Sequence, residues 1–295
     1  MKLFRRPNSV LAAPGSQPVE TGTVAWMREL DEALATSRET GRPVFALFQE
    51  VPGCAGCKQF GADVLSNPSV VEAIEREFVP LLIHNNTGGR DAEVLQAYGE
   101  PAWNYQVVRF LDSSGDDLIA RRDRVWETGP LLARMVASLE AAGREIPDYL
   151  RLLEQEFSED LDEAFLVQSC FWVGEMEIGQ IEGVVRTEAG FMEGHEVTRV
   201  LYDPRALDIE GLYEQANERN VASAVYSDDP GLAKLDGRTK TSSRARYRKA
   251  PDSDQKRQLG GRVRGSFTES QLTKLNAFSR SRTGGAERFL PPSQR

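Results

Sequence analysis

Two cysteines three residues apart, Cys54 and Cys57, are the residues of this 295-residue sequence best placed to do chemistry. At the start of a helix, unpaired N–H groups and the helix dipole stabilise a thiolate, which makes the first thiol a nucleophile. The second, one turn on, can attack the resulting mixed disulfide and release the product. The same spacing also fits two small buried residues with no chemistry. A third thiol stands in Ser169-Cys170-Phe171-Trp172-Val173-Gly174-Glu175, beside two large aromatics at what reads as a helix entry. There the helix start would lower the thiol pKa, and Phe171 and Trp172 would form an apolar pocket for a methyl thioether. The alternative is a buried cysteine in an aromatic core. An odd, sparse set of three cysteines is not a disulfide framework and fits reducing surroundings. With His84 and His195 the only histidines, no second Cys pair completes a four-ligand zinc site, and neither metal nor cofactor is expected.

For the pair to work, a strand must deliver it to a helix. Val44 to Phe48 is an apolar run that reads as a buried strand, followed by Val51-Pro52-Gly53 and a helical stretch from the cysteines to Leu65. Upstream, Val24, Met27, Leu30 and Leu34 recur at helical spacing up to Gly41, a C-terminal cap with Pro43 beyond it. Downstream, Asn67-Pro68 caps a helix carrying Val70, Val71, Ile74 and Phe78. Val79 to Ile83 reads as a strand, Asp91 to Tyr98 as a helix and Val107 to Leu111 as a strand. Asp112-Ser113-Ser114-Gly115 then turns into a strand near Leu118 to Ala120. A helix from Gly129 to Ala142 completes the order α-β-α-β-α-β-β-α.

Around Cys170 the pattern becomes α+β. Phe165 to Val167 reads as a strand, Val173 to Ile181 as a helix, Val184 to Ala189 and Thr198 to Leu201 as strands, and Leu207 to Asn220 as a helix. Periodicity is lost after Tyr226. One island returns, where Thr268 and Gln271 form a capping box, Phe267 and Leu272 take the staple positions, and Leu272, Leu275 and Phe278 offer an apolar docking edge. The expected organisation is a flexible lead-in over 1–22, a first domain over 23–143 and an acidic linker over 144–163. A second domain over 164–228 and a basic, partly disordered tail over 229–295, with a short helix near 268–280, complete it.

Composition agrees with a folded chain, with 40% hydrophobic and 27% charged residues. No apolar run approaches the roughly 20 residues that span a bilayer, and the basic start Met1-Lys2-Leu3-Phe4-Arg5-Arg6 leads only into Pro- and Ser-rich sequence. A cytoplasmic protein with no membrane partner is expected. The net charge of -9 hides an asymmetry: from Gly231 to Arg295, 16 Lys+Arg stand against 5 Asp+Glu, so this stretch carries +11 and residues 1–230 carry -20. A basic tail can bind nucleic acid, but one that is solvated or lies on its own acidic body is the simpler reading, and no nucleic-acid partner is expected.

The residues also carry two resemblances. Residues 24–142 look like a thioredoxin-fold domain, and Phe48-Gln49-Glu50-Val51-Pro52-Gly53-Cys54 resembles a thioredoxin-like group in which VPG precedes cysteine or selenocysteine. The resemblance implies that Cys54 is the nucleophile and Cys57 the resolver. Counting back from Phe110-Leu111-Asp112, the cis-proline slot of that family falls at Gln106, and Pro101 fits only with an insertion.

Residues 165–226 resemble the A class of peptide methionine sulfoxide reductases. The resemblance rests on Cys170-Phe171-Trp172 with Glu175, Gly183-Val184-Val185-Arg186-Thr187-Glu188-Ala189-Gly190-Phe191, Gly194-His195-Glu196, Tyr202-Asp203-Pro204 and Ser223-Ala224-Val225-Tyr226. It implies that Cys170 attacks the sulfoxide sulfur while Phe171 and Trp172 hold the methyl group. The family's glycine before the cysteine is Ser169 here, one tyrosine is Phe191 and another Val221. The segment with its catalytic glutamate is missing between Glu193 and Gly194. Glu175, Glu196 and His195, with Glu188, are the candidate acid/base substitutes.

The reading is therefore an α/β thioredoxin-like domain fused to an α+β methionine sulfoxide reductase A-like domain and a basic tail. The expected activity is a thiol-dependent reduction of methionine S-sulfoxide, in peptides or free, at Cys170. Electrons would be relayed from Cys54 and Cys57 and renewed by an external dithiol such as a thioredoxin. The alternative is a thiol-disulfide or peroxide reductase centred on Cys54, with the second domain kept for binding.

Overall fold

The computed structural model describes residues 17–102, 106–227, 239–240, 246–260, 267–280 and 285–295. The chain divides into two compact units between Ile146 and Pro147. Among the described residues, no helix is long and apolar enough to cross a membrane.

The first unit is built on three strands, β1 (Val44–Gln49), β2 (Val79–His84) and β3 (Val107–Leu111), in the order β2-β1-β3. β1 runs parallel to β2, with Val44 opposite Val79, and antiparallel to β3, with Val44 opposite Leu111. Every residue of β1 is buried, as expected of a central strand covered on both faces. On one face Val44, Ala46 and Phe48 pack with Ala33 of α1 (Leu30–Thr40) and Leu95 of α4 (Arg90–Tyr98). On the other, Phe45 meets the rings of Phe78 and Phe110 edge-on. Between lie α2 (Ala55–Asp63) and α3 (Pro68–Glu77), the latter capped by Asn67, whose side chain accepts from Ser69 N at 3.0 Å. The last helix of the unit is α5 (Thr128–Ala141).

Three expectations change. Residues from Val24 to Glu29 are not helical: Met27 bridges Leu81 and exchanges main-chain bonds with Pro80 O and Leu82 N, so apolar spacing that fits a helix serves an extended edge beside β2. The strand expected near Leu118 to Ala120 reduces to one bridge, Leu111 to Asp117, where Arg109 takes Asp117 and Glu100, and Arg121 takes Glu100. Residues 17–22 of the expected lead-in are ordered. A 3-10 turn, Val19–Thr21, lies across α2 where a Cβ on Gly61 would come within 1.9 Å of Val19 O, so only glycine admits the contact.

The second unit is a six-stranded sheet in the order β8-β7-β4-β6-β5-β9, built from β4 (Asp162–Gln168), β5 (Val184–Met192), β6 (His195–Tyr202), β7 (Ala224–Tyr226), β8 (Thr239–Lys240) and β9 (Arg248–Lys249). β5 and β6 form a hairpin closed by Glu193 and Gly194 at φ 52 and 81, the positive pair that a two-residue turn requires. Ala164, Leu166, Val200 and Tyr202 pack on Leu212 and Tyr213 of α8 (Ile209–Glu218) and on Ile178 of α7 (Phe171–Ile178).

The stretch read as a linker contains α6 (Asp148–Glu156), with Tyr149, Leu150, Leu152 and Leu153 buried. The stretch read as a tail supplies β9 and α9 (Glu269–Ala277) to this unit. The expected capping box forms at Thr268 and Gln271. The helix docks by a different face, however: Ser270, Thr273, Lys274, Asn276 and Ala277 are buried, while Leu272, Leu275 and Phe278 are half-buried. Most of these polar groups find partners, although Asn276 Nδ2 has none among the described residues. Thr273 Oγ1 accepts from Thr187 N at 3.2 Å, Asn276 Oδ1 from Gln258 N at 3.0 Å, and Lys274 Nζ donates to Gly179 O at 2.9 Å and Val184 O at 2.6 Å.

Burial lowers the Lys274 ammonium to about 8, with Arg288 adding to the effect. The folded state therefore holds fewer protons than the unfolded chain between pH 8 and 10.5, and its stability rises with pH in that window. Measured by urea denaturation, wild type should gain about 2 kcal/mol over Lys274→Met between pH 8 and 10. A difference that stays flat with pH would remove the buried charge from this account.

Candidate functional site

The loop that follows β1 places the two thiols. Cys54 is the N-cap of α2, in extended backbone and exposed, and Cys57 lies in the first turn with no exposed surface. Their sulfurs are 3.6 Å apart. The preceding residues are held by two others. Asn86, just past β2, accepts from Val51 N and donates to Pro52 O, both at 3.2 Å. Glu20, buried in the ordered strap, accepts from Gly53 N at 2.9 Å, and its own carbonyl accepts from the Gln49 amide. Gly53 is required for space, since a Cβ there would lie 2.4 Å from Glu50 O and 2.7 Å from Cys57 Cβ.

This setting separates the two thiols. The N–H of Cys57 is the main group lowering the Cys54 thiol, aided by the Cys57 side chain and the N–H of Gly56, against burial and the Glu50 carboxylate. Cys57 is pushed up to about 11, chiefly by burial and then by its contact with Cys54. An exposed thiol whose pKa is lowered thus sits on a protonated, enclosed partner, an arrangement chemically capable of attack followed by resolution. Gln106, 4% exposed, places its Oε1 3.7 Å from Cys57 Sγ. The slot found by counting therefore reaches the thiols, with an amide where a proline was sought.

The second unit places Cys170 at the N-cap of α7, half-buried, directly after β4. The adjoining N–H of Phe171 is taken by Glu196 Oε2 at 2.9 Å. The helix terminus expected to serve the thiol is thus shared with a carboxylate. The Phe171 ring is buried with Ala189 and Ala250 and meets Phe191 edge-on at 5.4 Å. Trp172 is 37% exposed, with the Arg257 guanidinium 5.2 Å above its ring.

Of the four candidate acid/base groups, Glu196 alone is held next to Cys170, at the N–H of Phe171. Glu175 has no exposed surface, and both its oxygens are engaged by Lys256, one by the main-chain N–H and one by Nζ, each at 2.8 Å. It builds the core. His195 stands exposed at the β5–β6 turn. Glu188 accepts from Tyr247 Oη at 2.8 Å and pairs with Arg199. Tyr247 packs on Gly190 and Phe165, on the sheet face opposite the one where Ala189 meets Phe171. It does not stand in for the missing tyrosines. Glu20, Asn86 and Lys256 carried no signal in the sequence, because their partners lie 33, 34 and 81 residues away.

Comparison with known proteins agrees with the first unit. A family model described as thioredoxin-like matches residues 25–113, which form a thioredoxin-like domain. Among solved structures, one titled "DsbH Oxidoreductase" is similar at 17% identity and TM-score 0.34, over 44% of this chain and 92% of that one. A thioredoxin from Thermus thermophilus is similar at 24% identity and TM-score 0.35, over 41% of this chain and 90% of that one. No curated protein sequence gives a significant match.

Exposure and thiol chemistry together predict the order of alkylation. At pH 7 iodoacetamide should label Cys54 well before Cys57, by at least tenfold in rate, and denaturant should abolish the difference. Equal labelling of the two in the folded protein would contradict the asymmetric pair.

Proposed function

We propose that the chain is a thiol-disulfide oxidoreductase centred on Cys54. The observation that carries this reading is the 3.6 Å contact between an exposed N-cap thiol and a buried one. The Cys54 thiolate attacks one sulfur of a substrate disulfide, forming a mixed disulfide and expelling the first substrate thiolate. Cys57 loses its proton and attacks Cys54 Sγ, which closes the Cys54–Cys57 disulfide and releases the second thiolate. Two electrons pass to the substrate, and an external dithiol restores the pair. Exposure of Cys54 supports a substrate that meets the pair at the surface.

Reduction of a protein disulfide with dithiothreitol tests this. Cys54→Ser should abolish the catalysed rate, Cys57→Ser should accumulate the mixed disulfide, and Cys170→Ser should leave the rate near wild type. Catalysis that survives Cys54→Ser would refute the assignment.

A second reading, reduction of methionine S-sulfoxide at Cys170, is favoured by one observation: a partly exposed thiol at a helix N-cap with the Glu196 carboxylate at the next N–H and Trp172 exposed beside it. Cys170 would take the sulfoxide oxygen, leaving a thioether and a sulfenic acid. That acid would condense with a second thiol, releasing water. Cys54 and Cys57 are the other thiols of the chain and would supply the electrons. General acid help is worth about 10² to 10⁴-fold, so Glu196→Gln should slow the reaction by at least tenfold and Cys170→Ser should end it. Turnover of both sulfoxide epimers, or turnover indifferent to Cys170, would remove this reading.

A further inference from the structure

The Cys54–Cys57 pair is bordered by two oxygen donors that the redox chemistry does not use. Glu50 leaves the end of β1 so that a carboxylate oxygen and both sulfurs lie within 4.8 Å of one another, the one such group found among the described residues. Gln106, the residue before β3, brings its amide oxygen to 3.7 Å from Cys57 Sγ. We propose that the reduced pair, with Glu50 and Gln106, is a binding site for a zinc ion. The consequence, that the metal holds the dithiol out of disulfide exchange, rests on the redox reading; the site itself rests on geometry.

Two of the separations suit that ion, and the Glu50 oxygen stands within 4.8 Å of both sulfurs. In a tetrahedral site with Zn–S of about 2.3 Å and Zn–O of about 2.1 Å, sulfurs stand about 3.8 Å apart and a sulfur and an oxygen about 3.6 Å apart. The two sulfurs here are 3.6 Å apart, and Cys57 Sγ lies 3.7 Å from Gln106 Oε1. Two thiolates with a carboxylate select a borderline-soft cation over calcium or magnesium, which take all-oxygen sets. Cys57 and Gln106 are buried and fixed, while Cys54 is exposed, so an ion enters from solvent on the Cys54 side.

Charge and electrons balance without a further reagent. Binding displaces two thiol protons and leaves the metal as Zn(II). Once the ion dissociates, a substrate disulfide takes two electrons from the pair and two protons from the thiols or water, giving two thiols and the Cys54–Cys57 disulfide. Zinc and oxidation therefore exclude each other, since the disulfide has no thiolate left to offer.

The test uses the full reduced chain, a chromophoric chelator competing for Zn2+, and Co2+ as a spectroscopic probe. One equivalent of zinc should bind, with the sulfur-to-cobalt charge-transfer band of a two-thiolate site, and oxidation of the pair should release it. Cys57→Ser should abolish binding, and Cys170→Ser should leave it unchanged. Glu50→Gln should weaken binding by tenfold or more, and Gln106→Ala by a smaller factor. Absence of binding overturns the proposal. So does binding indifferent to Cys57, or binding that Glu50→Gln and Gln106→Ala both leave unaltered, which would describe a bare dithiol. Disulfide reduction measured in chelator is read separately. If it proceeds while zinc fails to bind, the metal site falls and the redox reading stands; if zinc binds and reduction is absent, the reverse holds.

Discussion

The contact between Cys54 and Cys57 depends on keeping two identical side chains in unlike surroundings. A thiol in water and a thiol in a core differ in how readily they ionise, because burial penalises the charged form and N–H donors favour it. The first unit supplies both conditions within one helical turn. Past the end of the central strand β1, Gly53 lets the chain turn against Cys57, and α2 begins with Cys54 outside and Cys57 inside. The strap at Val19–Thr21 completes the arrangement from outside the matched family segment: Gly61 admits it against α2, and Glu20 then fixes the N–H of Gly53. Without the strap, that N–H and the Gln49 amide would each need a new partner.

The second unit solves a different problem, that of burying charge. Its helix α7 carries Glu175 into a core with no exposure, where an uncompensated carboxylate would be prohibitive. Lys256 compensates it twice over and also donates to Thr187 O. Removing either partner of such a buried pair costs about 3 to 5 kcal/mol. The basic stretch that composition marks as a tail is, in part, the set of cations that this acidic unit requires: Lys256 for Glu175, Lys274 for the carbonyls of Gly179 and Val184, Arg288 for Asp148. The charge asymmetry of the chain is thus partly internal.

What was legible in the sequence was local. The apolar run of β1, the CxxC at the strand-to-helix junction, Asn67-Pro68 before α3 and the capping box at Thr268 each depend on neighbours within a few residues. Misread elements are those whose neighbours are distant. Val24 and Met27 follow a helical period, yet main-chain bonds to Pro80 and Leu82 hold Met27 extended. In α9 the leucines suggested the docking face, but partners on Thr187, Gln258 and Gly179 make the polar face the buried one. At the site, Glu50 stands four residues before Cys54, and the turn after β1 brings its carboxylate within 4.8 Å of both sulfurs, a proximity the linear spacing does not display.

Two of the three cysteines occupy the same formal position, the N-cap of a helix that follows a buried strand, and their difference lies in what the helix terminus is doing. At Cys54 the free N–H groups of Gly56 and Cys57 turn to the sulfur, so the terminus serves the thiolate. At Cys170 the first N–H serves Glu196, which places a carboxylate where the dipole would otherwise favour the thiolate alone. The N–H groups of the first helix start are directed at a sulfur, whereas the first N–H of the second is taken up by a carboxylate oxygen. An N-cap cysteine is thus a position and not a function, and the groups that share the helix terminus decide which reaction it can support.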